Sequence, residues 1–340
     1  MNTVADFSAT PPVAIVFPGQ GSQAVGMCAE WIAQAPENSP VAGLYELVDR
    51  LAEAPIRHYT LAGPDDVLRQ TRITQPAIVA ASVVAWWMLA EAFPWTPRAM
   101  AGHSLGEYTA LYAAGVLSLE DTLRLVVQRA RLMETAPAGS MSAVLGLAET
   151  QVEKAVLRAQ GEGLGPIGIA NYNTGDQYVI AGSQAAVARA TEILKEEGAR
   201  RVLPLPVSGA FHSALMDDAA DAFASVLNTA SFSDARCPIV TNVDAQWTQH
   251  GADLLGKLAY QINHPVRWIH TMERLFVDGQ IKVLIEVGPG AVLGNMAKKM
   301  YKDITILRVS DPASLQETLA SLKEMAFLSA PPQAAAAVPG

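Results

Sequence analysis

At 340 residues the chain can hold one large domain or two and can bury a sizeable core. Half of it is apolar, 17% is charged and the net charge is −9, a globular composition that argues against nucleic acid as the main partner. Two cysteines, Cys28 and Cys237, give neither a disulfide framework nor metal-ligand spacing, so a reducing cytoplasm and no metal are expected.

Residues 1–12 read as a loose leader without the basic and apolar segments of a secretory signal. Residues 13–17, five apolar positions ended by Pro18-Gly19, read as a buried parallel strand. Residues 76–92 have a helical composition. Ser82 interrupts their apolar run and Glu91 ends it, short of the roughly 18 residues that span a bilayer, so no membrane partner is expected. A short apolar segment at 99–101 leads into a glycine-flanked serine, a helix at 107–114 and a stop at Gly115. The next helix, 118–135, opens with Ser118 and has Asp121 three residues on, a capping-box-like start.

From Gly139 the rhythm changes. A strand at 142–147, a helix at 150–160, strands at 166–171 and 177–182 about a turn at 173–176, a helix at 184–197 and a strand at 201–207 follow in order. This βαββαβ order is the ferredoxin-like pattern. It predicts a small subdomain at 139–206 inserted into an α/β large subdomain of residues 13–138 and 207–320. Strands at 238–242 and 281–287 and a helix at 266–278 follow. Glu286-Val287-Gly288-Pro289-Gly290 lacks phosphate-loop spacing and reads as a strand-ending turn. Residues 329–340, rich in proline and alanine and uncharged, read as a flexible linker or cut end.

The chemistry centres on Gly102-His103-Ser104-Leu105-Gly106. G-x-S-x-G between a strand and a helix is the nucleophile elbow, a sharp turn that lifts a serine hydroxyl clear of the backbone at a helix N-terminus. A serine nucleophile needs a base. His103 adjoins it, but successive side chains diverge, so His103 reads as a packing residue. His212 lies in a small-residue loop between a strand and an apolar helix, where α/β folds place chemistry, although a lone loop histidine is as often structural. Arg129 has Leu125, Val126, Leu132 and Met133 at −4, −3, +3 and +4, so it lies within the apolar stripe of its helix. A buried guanidinium needs an anion. An internal acid, a snorkelling side chain and a clamp for a substrate carboxylate all remain open. The loop 17–23 carries two glycines at a strand end. Its Gln20 N–H, with that of Leu105, would suit an oxyanion hole.

Taken together, FPGQGSQ (17–23), TQPA (74–77), GHSLGEY (102–108), QRARLM (128–133), ANYN (170–173), AFHSALM (210–216) and EVGPG (286–290) form an ordered set. It resembles the malonyl-CoA:acyl carrier protein transacylases, which include the bacterial fatty-acid enzyme and the acyltransferases of polyketide synthases. The resemblance runs over residues 14–309. It implies an α/β-hydrolase-like large subdomain with a ferredoxin-like small one. It also implies that Ser104 is acylated, that His212 is the base and that the main-chain carbonyl of Gln261 orients it. Arg129 would bind the malonyl carboxylate, Gln20 and Leu105 would form the oxyanion hole, and Gln75 and Asn173 would lie near the pocket. No bound cofactor is implied: malonyl-CoA is substrate, and the phosphopantetheine arrives on the acyl carrier protein. Phe211 beside the base would crowd an α-methyl group and favour malonyl over methylmalonyl. Carrier proteins of this kind are acidic, so docking is expected at basic clusters, with Lys195, Arg200 and Arg201 in one and Lys298, Lys299 and Lys302 in the other. The competing reading is an acyl hydrolase of the same family that clears stalled chains from carrier proteins; it has no use for a carboxylate clamp.

Overall fold

The computed structural model describes residues 12–93, 96–207, 209–325 and 327. The leader, apart from Pro12, and the 329–340 linker lie outside them. Ten strands are present among the described residues: β1 (Val13–Phe17), β2 (Ala99–Gly102), β3 (Ser140–Leu145), β4 (Ile167–Thr174), β5 (Gln177–Gly182), β6 (Arg201–Pro204), β7 (Ile239–Val240), β8 (Trp247–Thr248), β9 (Val283–Val287) and β10 (Thr305–Val309).

The larger sheet runs β10-β9-β1-β2-β7-β8. It is parallel except where β8 joins β7. Every residue of β1 is buried, as a central parallel strand covered on both faces requires. Phe17 is level with Gly102 across the β1–β2 pair, so the 17–23 loop and the serine turn leave the sheet side by side. Such adjoining carboxyl ends of parallel strands are where open α/β sheets bind ligands.

The second sheet, β4-β5-β3-β6, is antiparallel throughout. Helices Glu149–Gly161 and Gln184–Glu196 cover it around a separate core that includes Val144, Val152, Ile180 and Ile193. With β3 and β5 central and two crossover helices, this is the ferredoxin-like arrangement expected from the sequence. A bridge between Ala138 and Gly209 joins the two chain segments that flank it. A second bridge, Asn171 to Val266, ties β4 to the larger layer. His212 follows this return of the chain.

Several boundaries differ from the sequence reading. The helix at 76–92 begins at Thr71, with Pro76 inside it. At 22 residues it is long and apolar enough to cross a membrane, which corrects the shorter estimate, yet it is almost wholly buried. It packs among helices Pro40–Ala52, Gly106–Ala113 and Leu119–Thr135, and a helix enclosed on all sides is apolar all round. The strand placed at 142–147 lies at Ser140–Leu145 and stops where Gly146 turns to φ 89°. The expected turn at 173–176 is tighter, because β4 runs to Thr174. The 266–278 helix starts at Trp268 and changes to a π turn over Arg274–Asp278. The apolar helix expected after His212 lies at Asp217–Leu227, while helices Gly251–Ala259, Val292–Met300 and Pro312–Glu324 and strands β8 and β10 are additions.

Candidate active site

Ser104 sits at φ 50°, a left-handed conformation that costs a residue with a Cβ about 1–3 kcal/mol unless its surroundings enforce it. The glycines on either side allow the turn to close. A Cβ on Gly102 would overlap the backbone of Gly106, and one on Gly106 would overlap the Phe17 carbonyl. Asn242 then clasps the turn from the end of β7. Its Oδ1 accepts from the Ser104 N–H at 2.6 Å and its Nδ2 donates to the Gly102 carbonyl at 2.7 Å.

The Ser104 hydroxyl lies 2.8 Å from His212 Nε2. His212 Nδ1 faces two main-chain carbonyls, Gln261 O at 2.9 Å and His264 O at 3.0 Å. Carbonyls only accept, so Nδ1 carries the proton and Nε2 is left as the acceptor for the serine. Burial, reinforced by the Arg129 charge, pushes the imidazole pKa down to about 3, which keeps it neutral and basic at ordinary pH. His212 is itself held at φ 58°, with its N–H donating to the Ile262 carbonyl at 3.0 Å.

Arg129 is 1% exposed. Its Nη1 donates to Gln75 Oε1 at 2.8 Å; its Nη2 donates to Ser104 Oγ at 2.9 Å and to Gln261 Oε1 at 3.1 Å. Its guanidinium lies 5.5 Å from the centre of the Tyr108 ring. Among the described residues no ion pair involves Arg129. Neither a directly paired internal acid nor a snorkelling side chain therefore accounts for it. A cation buried against neutral amides, within reach of a nucleophile, is suited to an anion that arrives with the substrate.

The 17–23 loop folds tightly. Ser22 Oγ donates to Gly19 O at 2.8 Å, and Gln23 Oε1 accepts from the Gly21 N–H at 2.7 Å. Gly19 lies so close to the His103 carbonyl that a Cβ there would clash, which sets the loop against the serine turn. The Gln20 and Leu105 N–H groups have no acceptor among the described residues. Together these features form a serine, a neutral imidazole, free N–H donors and a cation. That set can take an acyl group that bears an acid from one carrier and pass it to another.

Known proteins fit this chemistry. The family model described as "Acyl transferase domain" matches residues 14–324. The chain belongs to that acyl transferase family. It is 40% identical over 306 residues to the malonyl CoA-acyl carrier protein transacylase of Haemophilus influenzae, covering 88% of this chain and 96% of that one. An acyl carrier protein S-malonyltransferase from Vibrio cholerae superposes with a TM-score of 0.84 at 38% identity, covering 90% and 99% of the two chains. A malonyl-transacylase solved in complex with its type II polyketide acyl-carrier protein gives a TM-score of 0.84 at 37% identity, covering 91% and 99%.

Within this acyltransferase the remaining candidate residues lie at separate places. Gln75 belongs to the arginine cage, where its Nε2 also meets Met133 Sδ at 3.5 Å. Asn173 instead holds His103, whose Nε2 lies 2.9 Å from Asn173 Oδ1 and whose ring packs edge-on against Trp268. Phe211 is buried in the main core, its ring folded over Gly209. The 286–290 turn is structural in its contacts: the buried Glu286 carboxylate accepts from the N–H groups of Leu293 and Gly294 and caps the next helix. Four contributors escaped the sequence reading: Asn242, Glu107, the side-chain amide of Gln261 and the His264 carbonyl. Only Glu107 carried a signal. It is an acid amid Leu105, Tyr108, Ala110 and Leu111, and it is 2% exposed. Burial pushes its carboxyl up to about 7, opposed by the donors from Gln261 and Asn242.

Proposed function

We propose that this chain moves a malonyl group from coenzyme A to the phosphopantetheine thiol of an acyl carrier protein, through an acyl-serine, in fatty-acid or polyketide synthesis. One observation carries the choice of acyl group: the Arg129 guanidinium is buried, has no ion-pair partner among the described residues and lies 2.9 Å from Ser104 Oγ. The order of steps follows. His212 Nε2 takes the Ser104 proton as Oγ attacks the thioester carbonyl. The negative oxygen that forms is held by the Gln20 and Leu105 N–H groups. The carbon–sulfur bond breaks, and the departing coenzyme A sulfur takes the proton from His212. The carrier thiol then gives its proton to His212 and attacks the malonyl-serine. Serine leaves and recovers that proton. Arg129 holds the free carboxylate throughout, with Gln75 and Gln261 fixing its plane. The Gln261 and His264 carbonyls hold the imidazole in the working tautomer.

Buried Phe211 next to the base supports malonyl over methylmalonyl. Lys298, Lys299 and Lys302 are exposed and form no ion pair among the described residues, which supports them as a carrier-protein contact. In the other cluster Arg200 is engaged by Asp176 at 3.7 Å, leaving Lys195 and Arg201. A separate hydrophobic core around Val144, Val152, Ile180 and Ile193 supports a division into a 139–206 subdomain within a larger one. Buried, unpaired Cys28 and Cys237 suit a cytoplasmic setting.

The test is intact-mass measurement after mixing with malonyl-CoA alone, then with holo carrier protein. A malonyl adduct should form, be absent in Ser104→Ala, and pass to the carrier. Rapid hydrolysis of acetyl or butyryl carrier protein without a malonyl adduct would instead favour the hydrolase.

A further inference from the structure

We propose that Glu107 is a positioning residue of this transferase: its buried carboxylate fixes the side-chain amide of Gln261 and, through that amide, the Arg129 clamp. The inference rests on the roles given above to Ser104, His212 and Arg129. Glu107 lies in the first turn of helix Gly106–Ala113. Its Oε2 accepts from Gln261 Nε2 at 2.7 Å and from the Asn242 N–H at 3.4 Å. It forms no ion pair among the described residues, so these donors are what hold a buried acid.

Gln261 is the junction of the site. Its Nε2 donates to the Ser104 carbonyl at 2.8 Å as well as to Glu107, and its Oε1 accepts from Arg129 Nη2 at 3.1 Å. Its main-chain carbonyl accepts from His212 Nδ1. A side-chain amide has two orientations of nearly equal shape and opposite polarity. In the observed one, two donors meet two acceptors and the oxygen meets a cation. Turned over, the amide oxygen would face the Ser104 carbonyl and the Glu107 carboxylate, while the NH2 group would face the guanidinium. A carboxylate that accepts makes that turned state unfavourable. Gln75 supplies the matching oxygen at Nη1. Glu107 thus sets the direction of the contact that holds one edge of the fork, without touching substrate or reacting atoms.

Glu107→Gln keeps the size but offers both a donor and an acceptor, so it no longer dictates the amide. Burial pushes the Glu107 carboxyl up to about 7, so the measurement is made at about pH 8.5, where it is ionised and only accepts: the rate of Ser104 acylation by malonyl-CoA and by acetyl-CoA, expressed as a ratio. Loss of folded protein lowers both rates alike and leaves the ratio unchanged. A displaced clamp affects only the donor that bears a carboxylate. The ratio should fall about 10- to 100-fold in Glu107→Gln, the scale of a modest misplacement of a positioning group. Glu107→Asp, which still only accepts, should recover part of the preference. The proposal runs through the amide, so Gln261→Met, which keeps the volume and the main-chain carbonyl, must show the same fall. A preserved ratio there overturns the proposal whether or not Glu107→Gln folds. Arg129→Ala separates the two levels. If it collapses the ratio while Glu107→Gln does not, only the role of Glu107 fails; if it leaves the ratio intact, the clamp itself fails.

Discussion

Replacing Arg129 with alanine addresses the choice of acyl group directly. In the folded chain this side chain places three N–H contacts on Gln75, Ser104 and Gln261, all neutral partners, at 2.8 to 3.1 Å. A malonyl carboxylate that enters must shed water, and the guanidinium fork replaces that water. Without the fork the carboxylate is buried unpaired, at a cost of about 3–5 kcal/mol. At 1.36 kcal/mol per decade, malonyl acylation should slow about 150- to 5,000-fold. An acetyl group has no carboxylate and loses none of this, so the malonyl-to-acetyl ratio should fall by the same factor. Arg129→Lys keeps the charge without the planar fork and should lie between. Rapid quench followed by intact mass, with each thioester at equal subsaturating concentration, reads the two rates on one enzyme preparation. Truncation also strands Gln75 and Gln261, so some loss of stability is expected, but it is common to both substrates. A ratio within about threefold of wild type would refute the clamp.

The remaining predictions concern the base, the pocket wall and the carrier. A base acts when neutral, and His212 is pushed down to about 3, so acetyl acylation, which makes no use of the Arg129 clamp, should persist at pH 5.5; an ordinary imidazole of pKa about 6.5 would be only about one-tenth neutral there, and an acid limb centred near 6.5 for acetyl would contradict the depressed value. Phe211→Ser should narrow the preference for malonyl over methylmalonyl by about 10- to 200-fold, the range for one methyl group; competition with mixed thioesters measures it, and an unchanged preference removes Phe211 from the pocket. Charge reversal at Lys298, Lys299 and Lys302 should raise the KM for carrier protein and leave Ser104 acylation unchanged; transfer insensitive both to the reversal and to salt would rule out electrostatic docking there.

The fold was legible where the pattern was local. The buried strand β1, the 177–182 strand and the capped helix after Ser118 stand where the sequence placed them, because each is specified within a few residues. The βαββαβ order survived even though its strand ends shifted by a few residues. Amphipathic helices such as Pro40–Ala52 and Gly251–Ala259 went unread, since no motif drew attention to their stripes. The helix at 71–92 extends five residues ahead of the 76–92 segment whose composition is helical, and Pro76 falls inside it. The helix tolerates it in its second turn, where tertiary packing outweighs one missing N–H.

The site divides along a different line, between charge and neutrality. Arg129 could be singled out because a cation in an apolar stripe contradicts its surroundings, and that contradiction is visible within nine residues of sequence. Ser104 could be singled out because its strain needs glycines on both sides. The groups that hold these two in place carry no such contradiction. Asn242 clasps the serine turn across 138 positions, and Glu107 meets Gln261 across 154. An asparagine at a strand end or a glutamine near a loop is unremarkable in sequence, and its partner is chosen only by the fold. Where the reading did reach Gln261, it was through the resemblance and only for its backbone carbonyl. That role needs no particular side chain, whereas the three contacts of its amide explain why an amide stands there: only a group with two donors and an acceptor can satisfy a carbonyl, a carboxylate and a guanidinium at once.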